Sequence, residues 1–547
     1  MTDITRRLFA YLSRLLNVIG ISRMKSLIML VWSAISFLLL AEPGYVDPAT
    51  CRPCHAQVYN AYLATAMGSS LSSPDNLPVR PYSFFHAPSG RRYTVNGFSL
   101  RRTLADGSGI VEKRIDFAIG SGAHSRSLAH RRPDGTLLEL PVSWYAEQGG
   151  SWAMSPGYDR ADHSDFRRPI ADSCLFCHSG YPRGAAALEA IDCQRCHGPG
   201  EDHAKKGGRI VNPAKLSFDR RLEVCLQCHL ETAGRSMPEA IRRFDRGPFS
   251  YRPGEPLGDF MVYFESNQDA FTVNSAGRGM LRSKCFQASG QKLSCSTCHD
   301  PHGIEARSAA AACKSCHAQA HHASSNCVSC HMPRRRTDDA VHVVMTDHQI
   351  RRKAPEGDLL APKAENHGRY FGKVQLAAPV GSNAQLYLAV AAAAVDPSTA
   401  PRLETLLRSA NPSEPQFYFE LATAYRRVGR RSDAIRWYER ATHDPRSAIV
   451  LSELYEPAKA IATLQGAPQT PDVLNALANA YARISRFDDA LTALDRALKL
   501  DPESPTTHLN LGVCYQALGD SSRARAAYRE ALRLQPDLER ARRYLGQ

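Results

Sequence analysis

Hydrophobic and polar positions divide the chain into stretches of different character. Basic residues at the start end with Arg23 and Lys25, and an apolar run from Leu27 to Ala41 comes next, broken only by Ser33 and Ser36. Such a run is short for a bilayer span and suits the core of an export signal. Met24 offers a second start that gives a tidier signal. Leu39 stands where a cleavage site expects a small residue, so residues 1–41 read as a signal peptide or an uncleaved N-terminal anchor. Both readings put the remainder outside the cytoplasm, in the periplasm or on the outer face of the cytoplasmic membrane. Residues 46–78 have a helix-like pattern. Between 79 and 160, the runs Arg91–Val95, Ile110–Ile119 and Thr136–Tyr145 are separated by turn pairs such as Asp106-Gly107 and Asp134-Gly135. This predicts a small β-rich insertion. Residues 350–382 mix proline, glycine and charge and read as a linker, which lets a fragment of residues 42–360 fold without the C-terminal region. From 383 to 547 the period is helical.

The helical stretch also repeats. Leu477, Ala478, Tyr481, Ala490, Leu494, Ala497 and Pro502 recur 34 residues later as Leu511, Gly512, Tyr515, Ala524, Tyr528, Ala531 and Pro536. A 34-residue period of small and aromatic positions is the tetratricopeptide signature. A less regular copy runs through Leu421, Ala422, Tyr425, Ala434 and Tyr438, and residues 384–410 are candidates for a degenerate first copy. Stacked helix pairs bury their faces on one another and leave a concave surface, which suits a protein partner or, alternatively, a second copy of the chain.

Composition then changes the picture, because 14 of the 16 cysteines fall in one five-residue pattern, Cys-x-x-Cys-His. The seven copies are Cys51, Cys54, His55; Cys174, Cys177, His178; Cys193, Cys196, His197; Cys225, Cys228, His229; Cys295, Cys298, His299; Cys313, Cys316, His317; and Cys327, Cys330, His331. Two thiols three residues apart can add to the two vinyl groups on one porphyrin edge, and the adjacent histidine then ligates the iron. Zinc ligation and disulfides are the competing readings of such a pair. Seven copies, each with histidine and behind an export signal, point to seven covalent c-type haems with these histidines as proximal ligands. Cys285 and Cys514 are left over, and Cys514 reads as a small buried hydrophobe on a repeat helix. The formal charge of +14 raises the question of a nucleic-acid partner. Compensation of haem propionates by arginine is the reading adopted, and no nucleic acid is expected.

Several segments resemble known families. The Cys193–His203 segment, with His203 six residues after His197, resembles an element of the hydroxylamine-oxidation type of tetrahaem and octahaem cytochromes, where such a histidine caps a neighbouring haem. Cys295–Gly303 resembles another such element and implies a similar role for His302. Residues 119–131, 152–160, 174–182 and 331–350 resemble a family of exported multihaem proteins fused to tetratricopeptide repeats. The resemblance implies distal ligands at His86, His124, His130, His203, His302, His342 and His348. His163, His321, His322 and His367 are weaker candidates. Related first motifs carry a histidine twelve residues after the motif histidine; Met67 stands there here, as an iron ligand or as a buried methionine on an amphipathic helix. No lysine replaces a motif histidine, so one mark of nitrite-reducing cytochromes is missing.

The expected architecture is therefore multidomain. A loop-rich, mostly α multihaem cytochrome c region spans 42–349 with a β-rich insertion at 79–160, a linker spans 350–382, and an all-α repeat solenoid spans 383–547. Bis-histidine irons suit electron transfer between redox protein partners, one of them docked on the repeats. The alternatives are an oxidoreductase with one open iron acting on a small nitrogen or sulfur compound, and a scaffold for a larger assembly. Membrane association would run through an uncleaved N-terminus.

Overall fold

Side chains alternate between buried and exposed along Arg91–Asn96 and Val111–Arg114, the period-two signature of a half-buried sheet. The computed structural model describes residues 44–77, 81–182, 189–230, 238–266, 270–305, 307–317, 326–441 and 443–546. The expected export segment, His321 and His322 lie outside them. Strands β1 (Leu71–Ser72) through β10 (Arg168–Pro169) make up the insertion, which therefore extends past residues 79–160 on both sides. The meander of β2 (Tyr82–His86), β3 (Arg91–Asn96), β4 (Ser99–Leu104) and β5 (Val111–Arg114) forms a four-stranded antiparallel sheet. A second, six-stranded sheet runs β1, β6 (Phe117–Ile119), β7 (Ser125–Arg131), β8 (Leu137–Tyr145), β10, with β9 (Ser151–Met154) also paired to β8. Tyr93, Val95, Leu100 and Val111 from the first sheet share one core with Leu128, Leu140, Val142 and Trp152 from the second.

The cysteine-dense region is built of short helices, as expected, but it also has a side-chain core of its own. Phe176, Tyr181, Leu222, Leu226, Tyr251, Phe260 and Tyr263 form it. Next to it, β11 (Ala240–Arg242), β12 (Met261–Glu265) and β15 (Gln375–Ala377) make an antiparallel sheet. This corrects the expected linker. Residues 375–377 are an integral edge strand, and Val262, Phe264, Tyr370 and Val374 belong to the same apolar cluster as the repeats. Proline and glycine mark this stretch as irregular, but they do not reveal long-range pairing that depends on a partner strand more than 100 residues away.

Among the described residues five helix pairs follow: 384–395 with 400–410, 415–427 with 431–440, 445–454 with 457–465, 471–482 with 487–500, and 505–517 with 521–534; the helix Glu539–Leu545 covers the last. Local chemistry starts them. Thr470 and Ser504 accept the N–H of Val473 and Thr507, and Pro471 and Pro505 occupy the first helical turn, where a missing N–H costs nothing. Gly429 and Gly519 take positive φ in the turns between partners. At the far end the solenoid meets the insertion: Arg91 pairs with Asp537 at 3.1 Å, Lys113 with Glu503, Arg132 with Asp501 at 2.5 Å, and Arg102 donates to the carbonyls of Arg533 and Leu534. The chain thus closes on itself.

Candidate cofactor-binding site

All seven motifs sit on or at the end of a helical turn, among them Arg52–Leu63, Asp172–His178, Phe218–His229 and Cys327–His331. Helical spacing brings the two cysteines, three residues apart, to one face. Motifs far apart in sequence also adjoin. The Cys193 thiol hydrogen-bonds Cys51, which that contact draws down to about 7, while the same contact and burial push Cys193 up. Cys225 stands in the same relation to Cys295, raised by the contact and by burial while Cys295 is lowered. Burial, followed by the neighbouring Cys228, pushes Cys196 up to about 12. Cys285, half-buried, lies near Cys316 and Cys298.

The imidazoles form pairs. His55 faces His203 with ring centroids 6.3 Å apart and planes 18° from parallel; His197 faces His302 at 6.0 Å and 19°; His299 faces His348 at 6.2 Å and 29°. Each pair joins one motif histidine to one histidine outside the motifs. Three of these rings, and that of the motif residue His331, are oriented by the backbone. Nδ1 of His197 lies 2.8 Å from the Val211 carbonyl, that of His203 2.9 Å from Gly208, that of His348 3.1 Å from Thr346, and that of His331 2.6 Å from Arg351. A carbonyl only accepts, so Nδ1 carries the proton in each, and the Nε2 lone pair is left for a ligand. Burial pulls the pKa of His178, His197, His229 and His348 down, which favours the neutral, metal-binding form. Among the described residues, no three His, Cys, Asp or Glu side chains converge on a common point as a closed protein-only metal site requires.

Other candidates lie differently. His86 is buried with both ring nitrogens engaged, Nδ1 with Ser89 Oγ at 2.7 Å and Nε2 with Asp159 at 2.9 Å, so the expected distal role does not fit its surroundings. His163 is buried beside it against Arg91 and Tyr93. His130 bonds the Arg114 carbonyl and Asp116 through Nδ1. His124 bonds the backbone of Val344, which lies in strand β14 (Val344–Thr346), and His342 packs on the Tyr145 ring at 5.0 Å. His367 lies against Asp159 and Glu365. Met67 is half-buried in a turn beyond Leu63, not on the helix, and the ring opposite His55 is that of His203.

Two features were missed from sequence. A cavity of about 380 Å³ opens beside Cys193, lined by Tyr59, Tyr62, Leu71, Phe117 and Ile191. The Arg195 side chain, inside the third motif, is fully buried among Phe176, Tyr181 and Phe249. Its position between the cysteines marks it only once the fold is known.

The repeats define a class for the C-terminal part. Residues 400–448 and 475–547 match the tetratricopeptide-repeat family, and this part of the chain is a helical solenoid of that kind. Solved structures similar to it include a MamA protein, 23% identical, covering 24% of this chain and 79% of that one with a TM-score of 0.22. Another is YrrB, described as a tetratricopeptide-repeat protein with an unusual peptide-binding site, 17% identical over 30% of this chain and 93% of that one, TM-score 0.26. A third is TTC0263, a thermophilic repeat protein of Thermus thermophilus, 25% identical over 30% and 93%, TM-score 0.24. No curated protein sequence matches the chain. Among the described residues no helix is long and apolar enough to cross a membrane.

Proposed function

We propose that this chain is an exported multihaem c-type cytochrome that passes electrons between protein partners, one of them docked on the repeats. The observation that carries the reading is the set of three histidine pairs with ring centroids 6.0–6.3 Å apart. Two metal–nitrogen bonds of about 2 Å, plus about 1.1 Å from each nitrogen to its ring centre, add up to about 6.2 Å. The pairs therefore fit one iron between two imidazoles. Haem iron takes its protein ligands from two opposite directions, so a pair suffices where zinc needs a cluster.

On this reading Cys51 and Cys54, Cys193 and Cys196, and Cys295 and Cys298 would anchor three of the haems, and His55 with His203, His197 with His302 and His299 with His348 would hold their irons. A haem with two imidazole ligands supplies one-electron transfer and offers no open site. The backbone carbonyls of Val211, Gly208 and Thr346 hold the rings of His197, His203 and His348 with Nδ1 protonated, which leaves their Nε2 for a metal. Export, through residues 1–41, gives the compartment in which the partner proteins meet the chain. The repeats, a helical solenoid, supply the docking surface.

Haem staining and pyridine-haemochrome quantification on the denatured chain would test this, with seven covalent haems expected from the seven motifs. Zinc in place of covalent haem sinks the reading. His203→Ala, His302→Ala and His348→Ala should each turn one low-spin haem high-spin. A high-spin fraction in the unmodified protein would favour the multihaem oxidoreductase instead.

A further inference from the structure

Arg195, the third residue of the Cys193–His197 motif, carries a charge that the rest of the protein does not neutralise. It is 1% exposed. Nη2 donates to the Phe176 carbonyl at 2.7 Å and the guanidinium also hydrogen-bonds the Cys228 sulfur, while Nε and Nη1 find no oxygen or nitrogen acceptor. The guanidinium carbon lies 4.2 Å from the Phe176 ring centroid, 4.6 Å from that of Tyr181 and 5.8 Å from that of Phe249. Aromatic faces offset part of the cost of burying a cation, but not the charge itself. Among the described residues no carboxylate pairs with it. Two other motifs meet it directly: Phe176, whose carbonyl takes its Nη2, precedes Cys177, and Gln227, which donates Nε2 to the Arg195 carbonyl at 3.1 Å, precedes Cys228.

We infer that Arg195 is a fixed positive charge that raises the reduction potential of the haems anchored by Cys177 and Cys228. The inference rests on the haem reading above. Reduction adds one electron and lowers the local charge by one, so a buried cation nearby favours the reduced state. Inside the protein its field is weakened far less than it would be in water, and salt does not reach it. Arg195 is thus a tuning residue that touches neither iron nor partner.

The test is a spectroelectrochemical titration of the full haem-loaded chain as unmodified protein, Arg195→Lys, Arg195→Gln and Arg195→Met. Methionine is apolar and of similar length, so it suits the aromatic cage if glutamine does not. The neutral variants should keep all covalent haems and their low-spin spectra while one or two midpoint potentials move to more negative values, and Arg195→Lys should stay close to the unmodified protein. Full loading with unchanged potentials in Arg195→Met overturns the inference. So does loss of haem from both neutral variants with normal loading in Arg195→Lys, which would make the charge a requirement of assembly. An unmodified protein without covalent haem would instead defeat the haem reading itself.

Discussion

Arg102→Leu strikes the contact that closes the chain. Arg102 is fully buried on β4; its Nε lies 2.8 Å from Asp165 Oδ2, Nη1 reaches the Gly109 carbonyl, and Nη2 donates to Arg533 O at 2.8 Å and Leu534 O at 3.4 Å. Those last carbonyls end the helix Ser521–Leu534, where a cation also complements the helix dipole. Leucine leaves the Asp165 carboxylate, itself fully buried, with Tyr93 at 3.1 Å and Arg91 at 3.9 Å as remaining partners. Breaking a buried ion pair from one side costs about 3–5 kcal/mol, and because Arg91 stays in reach the lower half of that range is expected. Urea denaturation followed by far-UV circular dichroism would measure the loss. Hydrogen exchange would locate it: amides of β3 to β5 and of Ser521–Leu534 should lose protection together. A loss below about 1 kcal/mol, or exchange confined to the sheet, would refute the closed arrangement.

Other contacts give further expected outcomes. A fragment of residues 42–360 loses β15 and leaves Val262 and Phe264 uncovered, so it should give little soluble protein; a normal yield would mean that the repeats are dispensable. Gly512→Ala pushes a Cβ into the ring of Tyr528, which is 1% exposed, and overpacking of about 1–3 kcal/mol outweighs the roughly 1 kcal/mol of helix propensity gained, so the melting temperature should fall; a rise would contradict the packing. Burial, and next the Arg91 charge, draw the His163 pKa from 6.5 down to about 2. The unfolded chain therefore binds the extra proton, and stability should drop as pH falls below about 6.5, by up to about 1.4 kcal/mol per pH unit. His163→Gln should flatten that slope, and an unchanged slope would place the titration elsewhere.

The two kinds of site differ in how much of them the sequence carries. The Cys-x-x-Cys-His motifs were legible because their chemistry is local: two thiols and an imidazole need only one helical turn to share a face. The repeats at 471–500 and 505–534 were legible for the same reason, since each helix pair buries its small and aromatic positions on its neighbour. The pair at 445–454 and 457–465 was not, because it is shorter and lacks the Ala–Tyr pattern.

What the sequence by itself determined is thus the Cys-x-x-Cys-His motifs, the strands of the insertion and the helical period of the C-terminal region, all set by neighbours within one element. Only the tertiary structure decided which histidines face one another. His203, His302 and His348 stand opposite motif rings, while His86, equally plausible in sequence, spends both nitrogens on Ser89 and Asp159. It also decided that residues 375–377 pair with β12 and that the last repeat returns to the β-rich insertion. Such pairings depend on how distant segments pack, and a histidine's partners are whatever the fold brings within a few ångströms of its ring.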